Sequence, residues 1–179
     1  QHYNSFKQTE ASAERVFELF AEQPTLENQP NARALPSITG KVEYRDISFA
    51  YASGKPVFKD LSLLVKPGDV VALVGPSGAG KTTLVNLLAR FYDPQVGEVL
   101  VDGIDIRQVT LRSLRQQIGI VPQDTTLFSG TIAANIAFGQ VQFDQAAVEQ
   151  AAQIANAHQF ISQFSQGYQT YVGERGIKL

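Results

Sequence analysis

The chain has 179 residues, a formal net charge of −2, and 44% hydrophobic against 18% charged residues, the balance of a folded, soluble chain with one main domain. It has no cysteine, which excludes a disulfide framework and a thiolate metal site, and the two isolated histidines, His2 and His158, do not make a zinc constellation. A near-neutral balance, with a pI of about 5.7, leaves no basic footprint for nucleic acid, and no apolar stretch approaches the length of a membrane-spanning helix or a signal peptide.

Residues 10–21 place Val16, Phe17 and Phe20 on one side among charges, which predicts a short amphipathic helix ending before Pro24. Residues 24–36, with Asn28, Pro30 and Asn31, read as a linker, so the first part of the chain belongs with something upstream. From Lys41 the pattern becomes strand-like. Val42 and Tyr44 alternate, the phase changes at Arg45 and Asp46, and Ile47, Phe49 and Tyr51 resume, as a bulge or a new strand requires. After a turn at residues 53–56, Leu61, Leu63 and Val65 alternate up to the turn at Pro67, Gly68 and Asp69. An antiparallel β piece therefore precedes the rest.

Val70, Val71, Ala72, Leu73 and Val74 then form an uninterrupted apolar run, the pattern of a parallel strand covered on both faces. Gly75-Pro76-Ser77-Gly78-Ala79-Gly80-Lys81-Thr82 follows with the spacing of a P-loop, and Leu84, Leu87, Leu88 and Phe91 continue at helical spacing. A glycine-rich loop between a buried strand and a helix N-terminus turns several amides and the positive end of the helix dipole onto one spot, where polyphosphate fits. In this arrangement Gly75, Ser77, Gly78, Ala79 and Gly80 form the cradle and Lys81 reaches the β- and γ-phosphates. The Thr82 hydroxyl is the expected protein oxygen on Mg²⁺, and Thr83 donates to an inner phosphate. The competing reading is a plain glycine-rich turn, and the strand before and helix after favour nucleotide binding.

Beyond this point Asp93, Pro94 and Gly97 break the chain, and residues 99–106 read as a hairpin around Asp102 and Gly103. A short helix near residues 110–117 leads to a second candidate core strand at 118–121, which ends in Pro122, Gln123 and Asp124 at the edge where α/β sheets place ligands. Thr131 is placed to cap a short helix through Phe138. Asp144 is placed to cap a longer one carrying Val148, Ala151, Ala155 and Ile161, with Gly167 as its stop. This periodicity makes the glutamine-rich span 140–169 helical rather than low-complexity. Arg107, Arg112 and Arg115 read as a solvated face. Hydrolysis also needs a carboxylate at the end of an apolar strand. Val99-Leu100-Val101-Asp102 imitates one, but its glycine neighbour and hairpin position make Asp102 a structural decoy, and no DxxG or NKxD pattern supports a small-GTPase reading.

In this order the pieces resemble the ATP-binding domain of ATP-binding cassette transporters, of the exporter type in the multidrug and lipid-flippase half-transporter group. The resemblance covers nearly the whole chain. Beside the P-loop it is carried by Phe49-Ala50-Tyr51, by Arg90-Phe91-Tyr92-Asp93-Pro94 with Gly97 and Asp102-Gly103, and by Val121-Pro122-Gln123. Val172-Gly173-Glu174-Arg175-Gly176 is similar to the loop before the family's LSGGQ signature, with Leu179 as that signature's first residue. The resemblance implies an α/β fold, a P-loop NTPase core with a parallel sheet, an N-terminal antiparallel β subdomain and a partial helical subdomain, incomplete C-terminally. It divides the chain into a cytoplasmic extension of the last membrane helix at 1–23, a linker at 24–40 and a partial ATP-binding domain at 41–179.

The same resemblance implies that Tyr51 stacks on adenine, that Gln123 contacts Mg²⁺ and the attacking water, and that residues 124–128 face the membrane domain. ATP and Mg²⁺ are the implied cofactors. A second ATP-binding domain, identical or paralogous and arranged head-to-tail, and a transmembrane domain are the implied partners, at the cytoplasmic face of a membrane as part of an integral membrane protein. ATP binding and hydrolysis in the domain dimer would then drive export. The rest of the signature, the Walker B carboxylates and the switch histidine are not matched, so the chain alone is expected to be inactive, with apolar surface uncovered beside the P-loop strand and a marginal or swapped assembly. Two alternatives stand beside this: a soluble cassette ATPase acting on nucleic acid or the ribosome, which the missing basic face opposes, and a nucleotide-binding module that never hydrolyses.

Overall fold

The alternation across residues 42–50 builds β1 (Val42–Ala50), which pairs antiparallel with β2 (Pro56–Val65) on one side and β3 (Val96–Val101) on the other. With β4 (Ile104–Asp105) the sheet has the order β2-β1-β3-β4. The structure is a computed structural model that describes residues 26–52, 54–124, 126–140 and 142–173, together with Phe17 and Phe20. The chain forms two units, Gln1–Gly119 and Ile120–Leu179.

The expected phase change in β1 is a bulge. Tyr44 pairs with Leu63 but Ile47 pairs with Leu61, and Asp46 takes a left-handed backbone with φ 49°. The extra residue lets Tyr44, Ile47 and Phe49 all turn inward, where each is buried. Gly97 on β3 accommodates the bulge: its φ is +86°, and a Cβ there would lie 2.6 Å from the Asp46 carbonyl oxygen. The hairpin at Asp102 and Gly103 is also present, with Val101 opposite Ile104. The Asp102 carboxylate accepts hydrogen bonds from the Thr39 hydroxyl and the Lys41 amide at 2.8 Å each, and from the Thr39 amide. Its role is structural.

Helix α1 (Lys81–Leu88) packs Leu84 and Leu87 into the core formed by Tyr44, Ile47, Phe49, Val99 and Val101. It is shorter than the spacing predicted, because Arg90 adopts φ 50° and ends it; Phe91 lies past the end, under the Arg115 guanidinium at 4.9 Å. Helix α2 (Leu111–Arg115) is capped by Thr110, and Leu114 completes the core. The arginines near it are not simply a solvated face. Arg115 donates to the Ala89 and Arg90 carbonyls at 3.0 and 2.7 Å, and Arg107 pairs with Asp105 at 2.7 Å. Nor are residues 26–40 a free tether. Leu35 is buried in the core, Arg33 bridges to Val109, and Gln117 accepts from the Ile38 amide at 3.0 Å.

The parallel ladder expected at 70–74 and 118–121 is the main departure. Neither segment has a strand partner among the described residues, and Val70, Val74 and Val121 are 100%, 89% and 94% exposed. An antiparallel neighbour arrives through a short connection, as β1 and β2 show, whereas a parallel one must come from a distant part of a chain through a crossover.

The second unit pairs β5 (Gly130–Thr131) with β6 (Tyr171–Val172) and carries α3 (Ile132–Ile136), α4 (Gln145–Ile154) and α5 (His158–Ile161). Thr131 and Asp144 cap α3 and α4 as predicted, with their side chains accepting from the Ala134 and Ala146 amides. Ile132, Ala133, Val148, Ala152, Ile161 and Val172 make its core. The long helix stops earlier than expected, at left-handed Asn156 (φ 56°), and Gly167 instead opens a 3₁₀ turn. The helix predicted at 10–21 lies outside the described residues, apart from Phe17 and Phe20, which are helical and exposed; residues 174–179 lie outside them as well.

Candidate functional site

The P-loop residues 75–79 are exposed and run directly into α1. Gly80 caps that helix at φ 89°, with no side chain bonded to the terminus and no acidic residue in the first turn. A Cβ on Gly80 would stand 2.6 Å from the Phe58 ring and 2.9 Å from Val57, so only glycine lets β2 press against the start of the helix. The amides of Lys81, Thr82 and Thr83 find no acceptor among the described residues, and the first bond of the turn runs from the Leu84 amide to the Gly80 carbonyl at 3.0 Å. Lys81 Nζ donates to the Gly75 and Pro76 carbonyls, both at 2.8 Å, which holds the ammonium over the loop. The exposed Thr82 hydroxyl makes no hydrogen bond to a described residue. Three open amides, a helix dipole and an ammonium therefore converge on one face, which is an anion site by charge and by donor count.

The aromatic groups come from the end of β1. Gln95 grips Ala50 from both sides, accepting from its amide at 2.9 Å and donating to its carbonyl at 2.8 Å, and so fixes where the chain leaves the strand. Tyr51, half-buried, then meets Phe49 edge-on at 4.9 Å and Tyr92 edge-on at 5.1 Å. A groove of about 330 Å³ opens beside them, lined by Leu26, Phe49, Tyr51, Phe91, Tyr92 and Gln95 among others. Tyrosines from this strand reach α1 at two consecutive residues. The Tyr51 and Thr83 hydroxyls are 2.9 Å apart, and the Tyr44 hydroxyl donates to the Leu84 carbonyl at 2.9 Å. Burial pushes the Tyr44 phenol up to about 12. Tyr51 and Thr83 are separate candidates in the sequence, and nothing in their spacing shows that they touch. Nor does the sequence announce the grip of Gln95 on Ala50, or that Tyr92, within the motif after the P-loop helix, meets Tyr51.

Gln123 belongs to the second unit, where it is exposed in an irregular stretch after Pro122. A few residues on, Asn135 fastens the loop that precedes α3. Its side chain accepts from the Phe128 amide at 2.8 Å and donates to the Phe128 and Thr131 carbonyls at 2.8 and 3.0 Å. Phe128 and Phe138 stack face to face at 4.2 Å while 49% and 65% exposed, a pair that sequence spacing did not reveal. Among the described residues no group of three His, Cys, Asp or Glu side chains could hold a metal.

Comparison with known proteins adds a consistent set of relatives. The family described as ABC transporter matches residues 58–173. The chain is 48% identical over 174 residues to the fatty acid ABC transporter ATP-binding/permease protein of Mycobacterium bovis, covering 97% of the chain and 27% of that protein. It is 48% identical over 176 residues to the ATP-dependent lipid A-core flippase of Syntrophus aciditrophicus, covering 98% and 29%. Among solved structures, a bacterial Atm1-family ABC exporter with ATP bound superposes with a TM-score of 0.83 at 44% identity, over 99% of the chain and 31% of the other. The chain thus spans less than a third of the length of these relatives.

Proposed function

The chain belongs to the ABC transporter family, and we propose that its P-loop unit binds Mg-ATP as part of an exporter whose transport is driven by ATP. The observation that carries this reading is the loop itself: the amides of Lys81, Thr82 and Thr83 stand open beside an ammonium parked on two loop carbonyls. A polyanion offers Lys81 Nζ a stronger partner than those carbonyls, because charge-assisted bonds exceed neutral ones. The Thr82 hydroxyl, free of described partners, fits as a protein oxygen on Mg²⁺, an ion that keeps several waters and takes other ligands from phosphate. Tyr51 and the aromatic groove beside it fit an adenine ring.

Bound Mg-ATP would supply the triphosphate whose terminal bond the whole protein hydrolyses. This chain's own groups bind and orient it. Lys81 neutralises the outer phosphates, Thr83 donates to an inner one, and Gln123 would contact the ion and the attacking water. A second copy or a paralogue of the ATP-binding domain, arranged head-to-tail, would close the site. A transmembrane domain would meet residues 124–128, and the stacked, exposed Phe128 and Phe138 suit an apolar contact there. These partners would put the unit at the cytoplasmic face of a membrane. The relatives named above are a permease protein, a flippase and an exporter, and no described feature favours a nucleic-acid or ribosome partner.

Equilibrium binding of Mg-ATP tests the reading. Lys81→Ala removes a charge-assisted phosphate contact of about 1.5–3 kcal/mol, so affinity should fall about 10- to 150-fold. Equal affinity in the variant would remove Lys81 from the site. In the full-length protein the same substitution should abolish ATP-driven turnover.

A further inference from the structure

We infer that the Tyr51 hydroxyl governs the phosphate end of the site, by fixing the Thr83 hydroxyl as a donor, in addition to what its ring does for the base. The inference rests on the nucleotide reading above. Tyr51 is held from two directions by edge-on contacts with Phe49 and Tyr92, at interplanar angles of 82° and 88°, so its ring has one orientation. That orientation puts its oxygen 2.9 Å from Thr83 Oγ1. Thr83 is 5% exposed, lies on the first turn of α1 beside the open amides, and has no other side-chain hydrogen bond to a described residue.

The chemistry of the two hydroxyls sets the direction of this bond. A phenol is the stronger acid and the better donor, while an aliphatic hydroxyl is the better acceptor. Tyr51 therefore donates, and the single Thr83 proton must point elsewhere. With no other described partner for Thr83 Oγ1, an anion held by the open amides of this turn would be its acceptor. Donation from Tyr51 also polarises the Thr83 hydroxyl, because linked hydrogen bonds strengthen one another. A residue acting through its ring alone would have no influence on a ligand that lacks a base; acting through its hydroxyl, Tyr51 should have one. Tyr51 is in this respect a positioning residue, acting through Thr83.

Inorganic tripolyphosphate with Mg²⁺ isolates the effect, since it offers charge and no ring. Calorimetric titration of the whole chain with Mg-ATP and with Mg-tripolyphosphate would be compared for wild type, Tyr51→Phe, Thr83→Val and the double variant. Tyr51→Phe keeps the ring and should weaken tripolyphosphate about three- to tenfold, the range of one hydrogen bond. In the Thr83→Val background it should cause no further loss. Tripolyphosphate affinity unchanged by Tyr51→Phe, with ATP still bound by wild type, overturns the inference and leaves the nucleotide site intact. So does a loss that persists in the Thr83→Val background, which marks a general structural effect. Wild type that binds ATP but not tripolyphosphate overturns it too. Wild type that binds neither overturns the nucleotide reading, and the inference with it.

Discussion

Strand β1 and the run at residues 70–74 reverse their expected ranking. The run is wholly apolar and carries the stronger strand signal, yet it has no ladder among the described residues and its two outer valines are almost fully exposed. β1 is broken by Arg45 and Asp46 and still sits between two partners, with Tyr44, Ile47 and Phe49 buried. What separates them is the supply of a neighbour. Apolarity makes a segment competent for burial, but burial itself requires a second surface, and β1 finds two: β2 across a short hairpin, and β3 from beyond the P-loop helix.

The comparison can be sharpened by matched substitutions read as denaturant midpoints. Leu87 has no exposed surface, and Leu87→Ala should cost about 2–5 kcal/mol through lost burial and the cavity left behind. Gly97→Ala should cost at least about 2 kcal/mol, because the left-handed backbone and the Asp46 carbonyl leave no room for a methyl group. A neutral Gly97→Ala would show that the bulge in β1 yields easily and is not the device that turns Tyr44 and Ile47 inward. At the other extreme, Val70→Thr should stay within about 0.5 kcal/mol. A cost matching that of Leu87→Ala would mean the run is covered in solution, and the contrast with β1 would collapse.

A smaller effect follows from the carboxylate that ties the hairpin to the segment before β1. The Thr39 hydroxyl, and then the Thr39 amide, hold Asp102 below the ordinary aspartate range. The fold therefore favours the charged form. Its stabilisation is complete above about pH 4, the unfolded value, and is lost as pH falls through the lower folded value. Asp102→Asn keeps a residue tolerant of the left-handed φ of 50° while removing the charge. The variant should be less stable than wild type near neutral pH, and the difference should close in acid. A difference that stays constant down to about pH 2 would contradict the assigned role.

Much of the candidate site is legible in the sequence because its chemistry is local. The P-loop needs its glycines, lysine and threonines in one short segment, and the helix that follows is written in Leu84 and Leu87. The Thr131 and Asp144 caps, the bulge and the Asp102 hairpin were readable for the same reason. The rest depended on contacts between distant residues. Nothing near Ala50 announces that Gln95 will replace a strand partner there, and nothing near Tyr51 announces a bond to Thr83. Asn156, and not Gly167, ends the long helix, since asparagine also tolerates a left-handed backbone. Residues 26–40 looked like a tether because their polar composition hides a single anchoring residue, Leu35.

The central claim is that the open amides at the start of α1 receive phosphate, and backbone amide chemical shifts report on those groups directly. Adding Mg-ATP to the ¹⁵N-labelled chain should move the resonances of Gly80, Lys81, Thr82 and Thr83 most, with those of Phe138 and the β3–β4 turn unmoved. Resonances at residues 80–83 that stay in place at millimolar Mg-ATP would contradict the account.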